Sequence, residues 1–219
     1  NRILTEMSDA QGRKIIHTLT WQPGSPAFRC GVCFENGSDR PVTLDLLTSL
    51  NLGWITPFTP GDACGALSLF RARSNWSAEG RFIRESAEEL SLEPSWARHG
   101  YRVEKFGQIG SMPVRHFFPF LAVQDSRAGV TWAFQLACPS SWQFEIRRKD
   151  DGMTVSAGLA DGDYGHWSKI LRPGERLTSP EAYCTVSTED ADRTAQRLLS
   201  IHREQWCRKD DPLPVLFNE

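Results

Sequence analysis

Phe117-Phe-Pro-Phe-Leu-Ala-Val-Gln-Asp125, then Ser126-Arg-Ala-Gly129, then Val130-Thr-Trp-Ala-Phe-Gln-Leu136 is the stretch that decides the fold. Two short runs rich in β-branched and aromatic residues flank a turn, which is the signature of neighbouring antiparallel strands. The pattern repeats outward in both directions. Upstream lie Lys14–Leu19, Phe28–Phe34, Val42–Leu50, Leu67–Arg73, Gly80–Leu92 and Tyr101–Gly107; downstream lie Trp142–Arg148, Thr154–Gly158 and Tyr183–Ser187. Turn chemistry separates them: Asn36-Gly37-Ser38-Asp39, Lys149-Asp-Asp-Gly152, Asp161-Gly-Asp163 and Arg172-Pro-Gly-Glu175. Asn-Gly tolerates positive φ at both turn positions and is the strongest short hairpin signal. About a dozen such runs at near-regular spacing predict an all-β, antiparallel sandwich or barrel.

One segment carries a helical period. Ala191, Ala195, Leu198, Leu199, His202 and Trp206 fall on one face. Ser187 with Asp190 resembles a capping box, with Thr188 as the alternative cap. Acidic residues open the segment and Arg203, Arg208 and Lys209 close it, as the helix dipole favours; Asp210-Asp211-Pro212 stops it. The last residues, Leu213-Pro-Val-Leu-Phe-Asn-Glu219, read as a new strand, because Val215-Leu216-Phe217 is a continuous apolar run of the kind buried on both faces. The expected division is a sandwich over 1–187, a linker helix over 188–210, and over 211–219 the opening of a further module that is cut off. A final edge strand of the same sandwich is the other reading of 213–217.

The totals narrow the function. The chain has 219 residues and a formal net charge of −2, which argues against a general binder of nucleic-acid backbones. No apolar run approaches the ~20 residues that span a bilayer, so no membrane partner is expected. The first residues, Asn1-Arg2-Ile3-Leu4-Thr5-Glu6, are not a signal peptide. The six cysteines are scattered, and Cys30-x-x-Cys33 sits in a strand-like run where residues three apart face opposite ways. Reduced thiols fit a cytoplasmic protein. Asp150-Asp151 and Asp161-x-Asp163 lack the calcium-loop pattern and read as solvated turns. No phosphate loop, nucleophile elbow or zinc-binding helix motif is present, so neither metal nor cofactor is expected.

Four stretches in order carry a resemblance: Ser74-Asn75-Trp76-Ser-Ala-Glu79; Phe106-Gly-Gln-Ile-Gly-Ser-Met-Pro-Val-Arg-His-Phe-Phe-Pro-Phe120; Gly129-Val-Thr-Trp-Ala-Phe-Gln-Leu136 ahead of Trp142; and Trp167 through Leu171-Arg-Pro-Gly-Glu175 to Thr178-Ser-Pro-Glu181. Followed by a helix and Leu213-Pro-Val-Leu-Phe-Asn218, they resemble the amino-terminal domain of family 36 glycoside hydrolases, of α-galactosidase type. Ser74-Asn75 stand where the family usually has Gly before the Trp, Phe118 where it has Asn before Pro-Phe, and Cys138-Pro139-Ser140 where many members have a Ser-Gly-Asn turn. These departures mark a divergent subgroup.

The resemblance implies a β-supersandwich of the galactose-mutarotase type, with one C-terminal helix leading into the first strand of a (β/α)8 barrel. It implies retaining chemistry, with both carboxylates in the barrel and none in this chain. Trp76 would wall the sugar pocket, Asp62 in Thr59-Pro-Gly-Asp62 would bind sugar hydroxyls, and Arg73 would bracket the same pocket. An ordinary packed Trp, a solvated turn aspartate and a strand-end salt bridge are the competing readings. Trp54, Trp132 and Trp142 read as core or sheet-face residues, Trp167 as packed, and Trp206 as part of a docking face. The expected function is thus the non-catalytic domain of an enzyme acting on terminal α-linked galactosides, partnered by its own barrel and by further copies of itself. A freestanding carbohydrate-binding module and an epimerase-like enzyme using His116 or His166 are the alternatives.

Overall fold

A computed structural model describes residues 1–56, 63–94 and 100–206. Val215-Leu216-Phe217, and with them the expected barrel strand and the helix beyond Trp206, lie outside the described residues, as does Asp62. The strands are β1 (Arg2–Ser8), β2 (Arg13–Thr20), β3 (Phe28–Asn36), β4 (Val42–Leu44), β5 (Thr48–Thr56), β6 (Leu67–Arg73), β7 (Arg81–Ser86), β8 (Tyr101–Gln108), β9 (Phe117–Asp125), β10 (Val130–Ala137), β11 (Trp142–Lys149), β12 (Gly152–Leu159), β13 (Lys169–Leu171), β14 (Arg176–Thr178) and β15 (Glu181–Ser187). One helix, α1 (Ala191–Trp206), follows.

The large sheet runs β1-β2-β3-β15-β10-β9-β6-β7, with β14 added beside β3. A four-stranded sheet, β5-β12-β11-β8, lies against it, and β13 with β4 forms a small ribbon. Every strand pair is antiparallel. The alternation of side chains along each strand sends one set inward. Leu67, Leu69, Leu121, Val123, Phe134 and Leu136 of the large sheet meet Phe106, Trp142, Phe144, Ile146 and Val155 of the small one, all buried. Phe106 and Phe144 stack at 5.3 Å, with Trp142 edge-on to both. Gly107 lies opposite Gln143 in the ladder, and a Cβ there would stand 2.1 Å from the Trp142 carbonyl oxygen, so only glycine fits.

The outer face of the large sheet carries the helix. Ala122 and Ala133 are cross-strand partners, and their small side chains let Ala191 and Leu198 of α1 approach the sheet. The cap is Asp190 and not Ser187: its Oδ1 accepts the Arg193 N–H at 2.8 Å, while Ser187 Oγ accepts from Glu189 N–H, which lies ahead of the helix that starts at Ala191. Val42–Leu50, expected as one strand, is two, because the chain changes sheets at 45–47 to place β4 on β13 and β5 on β12. Among the described residues, no helix is long and apolar enough to cross a membrane.

Candidate functional site

Among the described residues, the turn between β6 and β7 holds the most exposed large hydrophobic side chain. Trp76 is 93% exposed. An indole on a slack loop would fold onto the nearest apolar surface, but this loop is fixed from several directions. Ser74 N–H donates to the His116 carbonyl at 2.9 Å, and Ser74 Oγ donates to the Val114 carbonyl at 2.5 Å. Ala78 N–H donates to the Asn75 carbonyl, and Gly80 N–H closes the turn on the Arg73 carbonyl at 2.8 Å. Ser77 and Gly80 both take positive φ, 59° and 77°, which forces the chain to bulge outward at Trp76.

The neighbouring segment, 109–116, is tethered in the same way. The core residue Trp142 donates its Nε1–H to the Pro113 carbonyl at 2.6 Å, and Gly110 N–H donates to Ser141 Oγ at 2.9 Å. Met112 and Val114 stay exposed on it. Trp76 thus stands on a loop bonded to a second loop that carries further apolar side chains.

Arg73 lies at the foot of the turn. Its guanidinium sits 4.4 Å from the Phe117 ring centroid, a cation–π contact, and among the described residues no carboxylate pairs with it. The expected strand-end salt bridge is therefore replaced by an aromatic one. Arg73 faces Arg81 across the ladder, and the two line a cavity of about 340 Å³ with Asn75, Ala78 and Ile83. Trp76 shares the turn with Arg73 but does not line this cavity. Asn75, Arg81 and Met112 were not expected as site residues from sequence. Asn75 and Met112 fall inside the resembling stretches and Arg81 just after the first, but that Arg81 faces Arg73 follows from the ladder register.

Gly80 also borders an apolar groove of about 460 Å³ between the large sheet and α1, where Phe82, Phe120, Leu198 and Leu199 converge. Phe82 and Phe120 stack at 5.4 Å. Below the turn, Arg71 is buried and joins the two sheets: it binds Glu85 of β7 at 2.8 Å through Nε and Glu104 of β8 at 2.9 Å.

The other polar cluster is an ion network. Lys105 Nζ reaches Glu145 and Asp161 at 3.0 Å each. Burial alone would raise the Asp161 carboxyl, but hydrogen bonds from Gln143, Lys105 and the Tyr164 N–H outweigh it and hold it below the usual carboxylate range. Burial alone would lower Lys105, and the same two carboxylates outweigh that and raise it. Such groups stay charged and paired, so the network anchors the 160–168 segment. His116 and His166 are both exposed and sit on different segments, and no hydrogen bond or ion pair joins them among the described residues. Trp132 and Trp167 pack against core clusters as expected, whereas Trp54 is largely exposed, its ring lying against Gly152. The side chain of Trp206 is outside the described residues. Among those residues, no group of three or more His, Cys, Asp or Glu could hold a metal.

No family model matches the chain. It is 24% identical over 191 residues to the probable α-galactosidase G of Emericella nidulans, covering 84% of this chain and 23% of that protein. It is likewise 24% identical over 184 residues to the probable α-galactosidase C of Aspergillus terreus, covering 81% and 22%. Among solved structures it is similar to the α-galactosidase of Lactobacillus brevis, with TM-score 0.72 and 16% identity over 93% of this chain and 25% of that one. The family 36 α-galactosidase AgaA of Geobacillus stearothermophilus, seen with raffinose, gives TM-score 0.73 and 18% identity over 92% and 26%. A putative aldose 1-epimerase of Klebsiella pneumoniae shares the fold more distantly, with TM-score 0.50 and 14% identity. The chain spans about a quarter of the α-galactosidases it matches. In sequence and in fold it resembles the N-terminal β-supersandwich domain of the family 36 α-galactosidases.

Proposed function

We propose that this chain is the non-catalytic sandwich of a retaining α-galactosidase-like hydrolase acting on terminal α-linked galactosides. Its part is to brace the catalytic barrel, to supply a rim for the sugar pocket, and to help assemble homo-oligomers. The two reacting carboxylates belong to the barrel, ~5–5.5 Å apart at the carboxyl ends of its strands. The observation that carries the reading is Trp76, held out in solvent by a loop with fixed hydrogen bonds. An aromatic plane presented this way stacks on the apolar face of a pyranose. Arg73 and Asp62 are the further rim contacts. The apolar groove beside α1 supports the bracing role, since it offers Phe82 and Leu199 to a second domain. Free buried thiols, with Cys30 pushed up to about 12 by burial, fit a cytoplasmic setting.

The test is kinetic. In the full-length enzyme, Trp76→Ala raises KM for an aryl α-galactoside about 3- to 10-fold, the equivalent of ~0.5–1.5 kcal/mol, with kcat nearly unchanged. Residues 1–219 alone show no turnover. Hydrolysis that survives repurification of residues 1–219 overturns the division of labour, and an unchanged KM removes Trp76 from the rim. The exposure of Trp76 also favours a second reading, a freestanding carbohydrate-binding module. Calorimetric titration of residues 1–219 with galactosides distinguishes it: binding in this chain that Trp76→Ala abolishes supports the module.

A further inference from the structure

The large sheet ends on one side in β7, of whose six residues Ile83, Glu85 and Ser86 are partly buried and Glu85 is already held by Arg71. On the other side it ends in β1, and β1 is a different kind of edge. All seven of its residues are exposed, with Ile3 at 48%, Leu4 at 55% and Met7 at 55%. It pairs with β2 without interruption from Arg2↔Thr20 to Ser8↔Lys14, and among the described residues nothing pairs with its outer side.

The hydrogen-bond parity of this edge can be worked out. Asn1 and Trp21 exchange N–H···O bonds at 2.7 and 3.0 Å, and Asp9 N–H donates to the Arg13 carbonyl at 3.1 Å. Odd-numbered residues therefore face β2, and Arg2, Leu4, Glu6 and Ser8 turn their N–H and C=O groups to the open side. We propose that β1 pairs antiparallel with β1 of a second copy of this chain, about a two-fold axis through Leu4. In that register Leu4 lies opposite Leu4 of the second copy and Arg2 lies opposite Glu6, twice. Each of these is a hydrogen-bonded pair of the required parity. The charges fit: Glu6 already holds Lys14 through one carboxylate oxygen at 3.2 Å, leaving the other for the incoming guanidinium. An axis through Glu6 would set like charges face to face, and one through Thr5 would put Glu6 against Leu4 and Arg2 against Ser8. Only the Leu4 axis is self-complementary in charge, as an isologous contact requires.

This gives a surface to the assembly named under the proposed function and rests on that reading only for the expectation that copies associate. The test is sedimentation equilibrium of residues 1–219 at tens of micromolar. The chain sediments at twice the monomer mass. Leu4→Pro removes an N–H that faces away from β2, so the hairpin's own ladder is kept while dimer dissociation rises at least tenfold. Leu4→Lys keeps the backbone intact, sets two ammonium groups opposite each other, and has the same effect. In a Cys64→Ser background, Leu4→Cys forms a disulfide-linked dimer under mild oxidation and Thr5→Cys does not. A monomer at every concentration overturns the assembly reading together with this surface. A dimer indifferent to both Leu4→Pro and Leu4→Lys overturns the surface and leaves assembly standing elsewhere.

Discussion

His202 shows how a single residue ties α1 to the sheet. Its Nε2 lies 3.2 Å from Gln135 Oε1, and its ring meets Tyr183 edge-on at 4.6 Å. Burial lowers its pKa from 6.5, partly countered by Glu181. Above pH ~6.5 neither the folded nor the unfolded chain holds this proton. Below that, the unfolded chain takes it up and the folded chain lags behind, so stability is lost as pH falls through the unfolded value toward the folded one. A thermal-melting series from pH 7.5 to 5.5 with wild type and His202→Phe checks this. The variant has the shallower slope, and the difference stays under the single-proton ceiling of ~1.4 kcal/mol per pH unit. At this scale the exposure of Trp76 was not legible in the sequence, because whether a Trp ends in solvent or in the core depends on bonds to Val114 and His116, some 40 residues away. The place of Arg73 over Phe117 was hidden for the same reason: β6 and β9 meet only in the folded sheet.

Elements were read well where periodicity and turn chemistry agreed. Leu67–Arg73 and Phe117–Asp125 match the strands residue for residue, since both are apolar-rich runs, covered on both faces over much of their length, that stop at turn-forming residues. β1 went unseen because all its residues are exposed, and its order comes from pairing with β2. β13 and β14, three residues each, are too short to show a period. The run expected to Leu92 breaks at Ser86, where Ser86 and Glu89 exchange side-chain-to-backbone bonds that turn the chain and send Leu92 into the core. Along helix α1, Ala191, Leu198 and His202 of the expected face are buried while Leu199 is half exposed, and the cap is Asp190 instead of Ser187. Asp190→Ala costs about 1 kcal/mol and Asp190→Asn much less, measured by urea unfolding, because the carboxylate is replaced in one case by nothing and in the other by an equivalent acceptor.

For the whole molecule, the two sheets are fastened by more than apolar contact. Arg71 reaches from the large sheet to Glu104 of the small one and to Glu85, with Phe106 and Phe117 about 5 Å from its guanidinium. Arg71→Met strands two partly buried carboxylates and destabilises by about 2–3 kcal/mol, discounted because both remain about a quarter exposed. The triple variant Arg71→Met, Glu85→Gln, Glu104→Gln recovers much of that loss in denaturant melts; an equal loss in both variants shows that packing, not charge, sets the cost.

The bond from the Trp142 indole to the Pro113 carbonyl has a reach beyond its own length. Trp142 is wedged among Phe106 and Phe144 in the middle of the molecule, while Pro113 lies in the strip that buttresses Trp76. The Trp76 turn is therefore stapled, through this strip, to the deepest layer, and slackening it means prying that indole away from its ring neighbours. Stiffness at this exposed edge is thus inherited from the interior, and any change that loosens the aromatic stack frees the turn before a single surface residue has been altered.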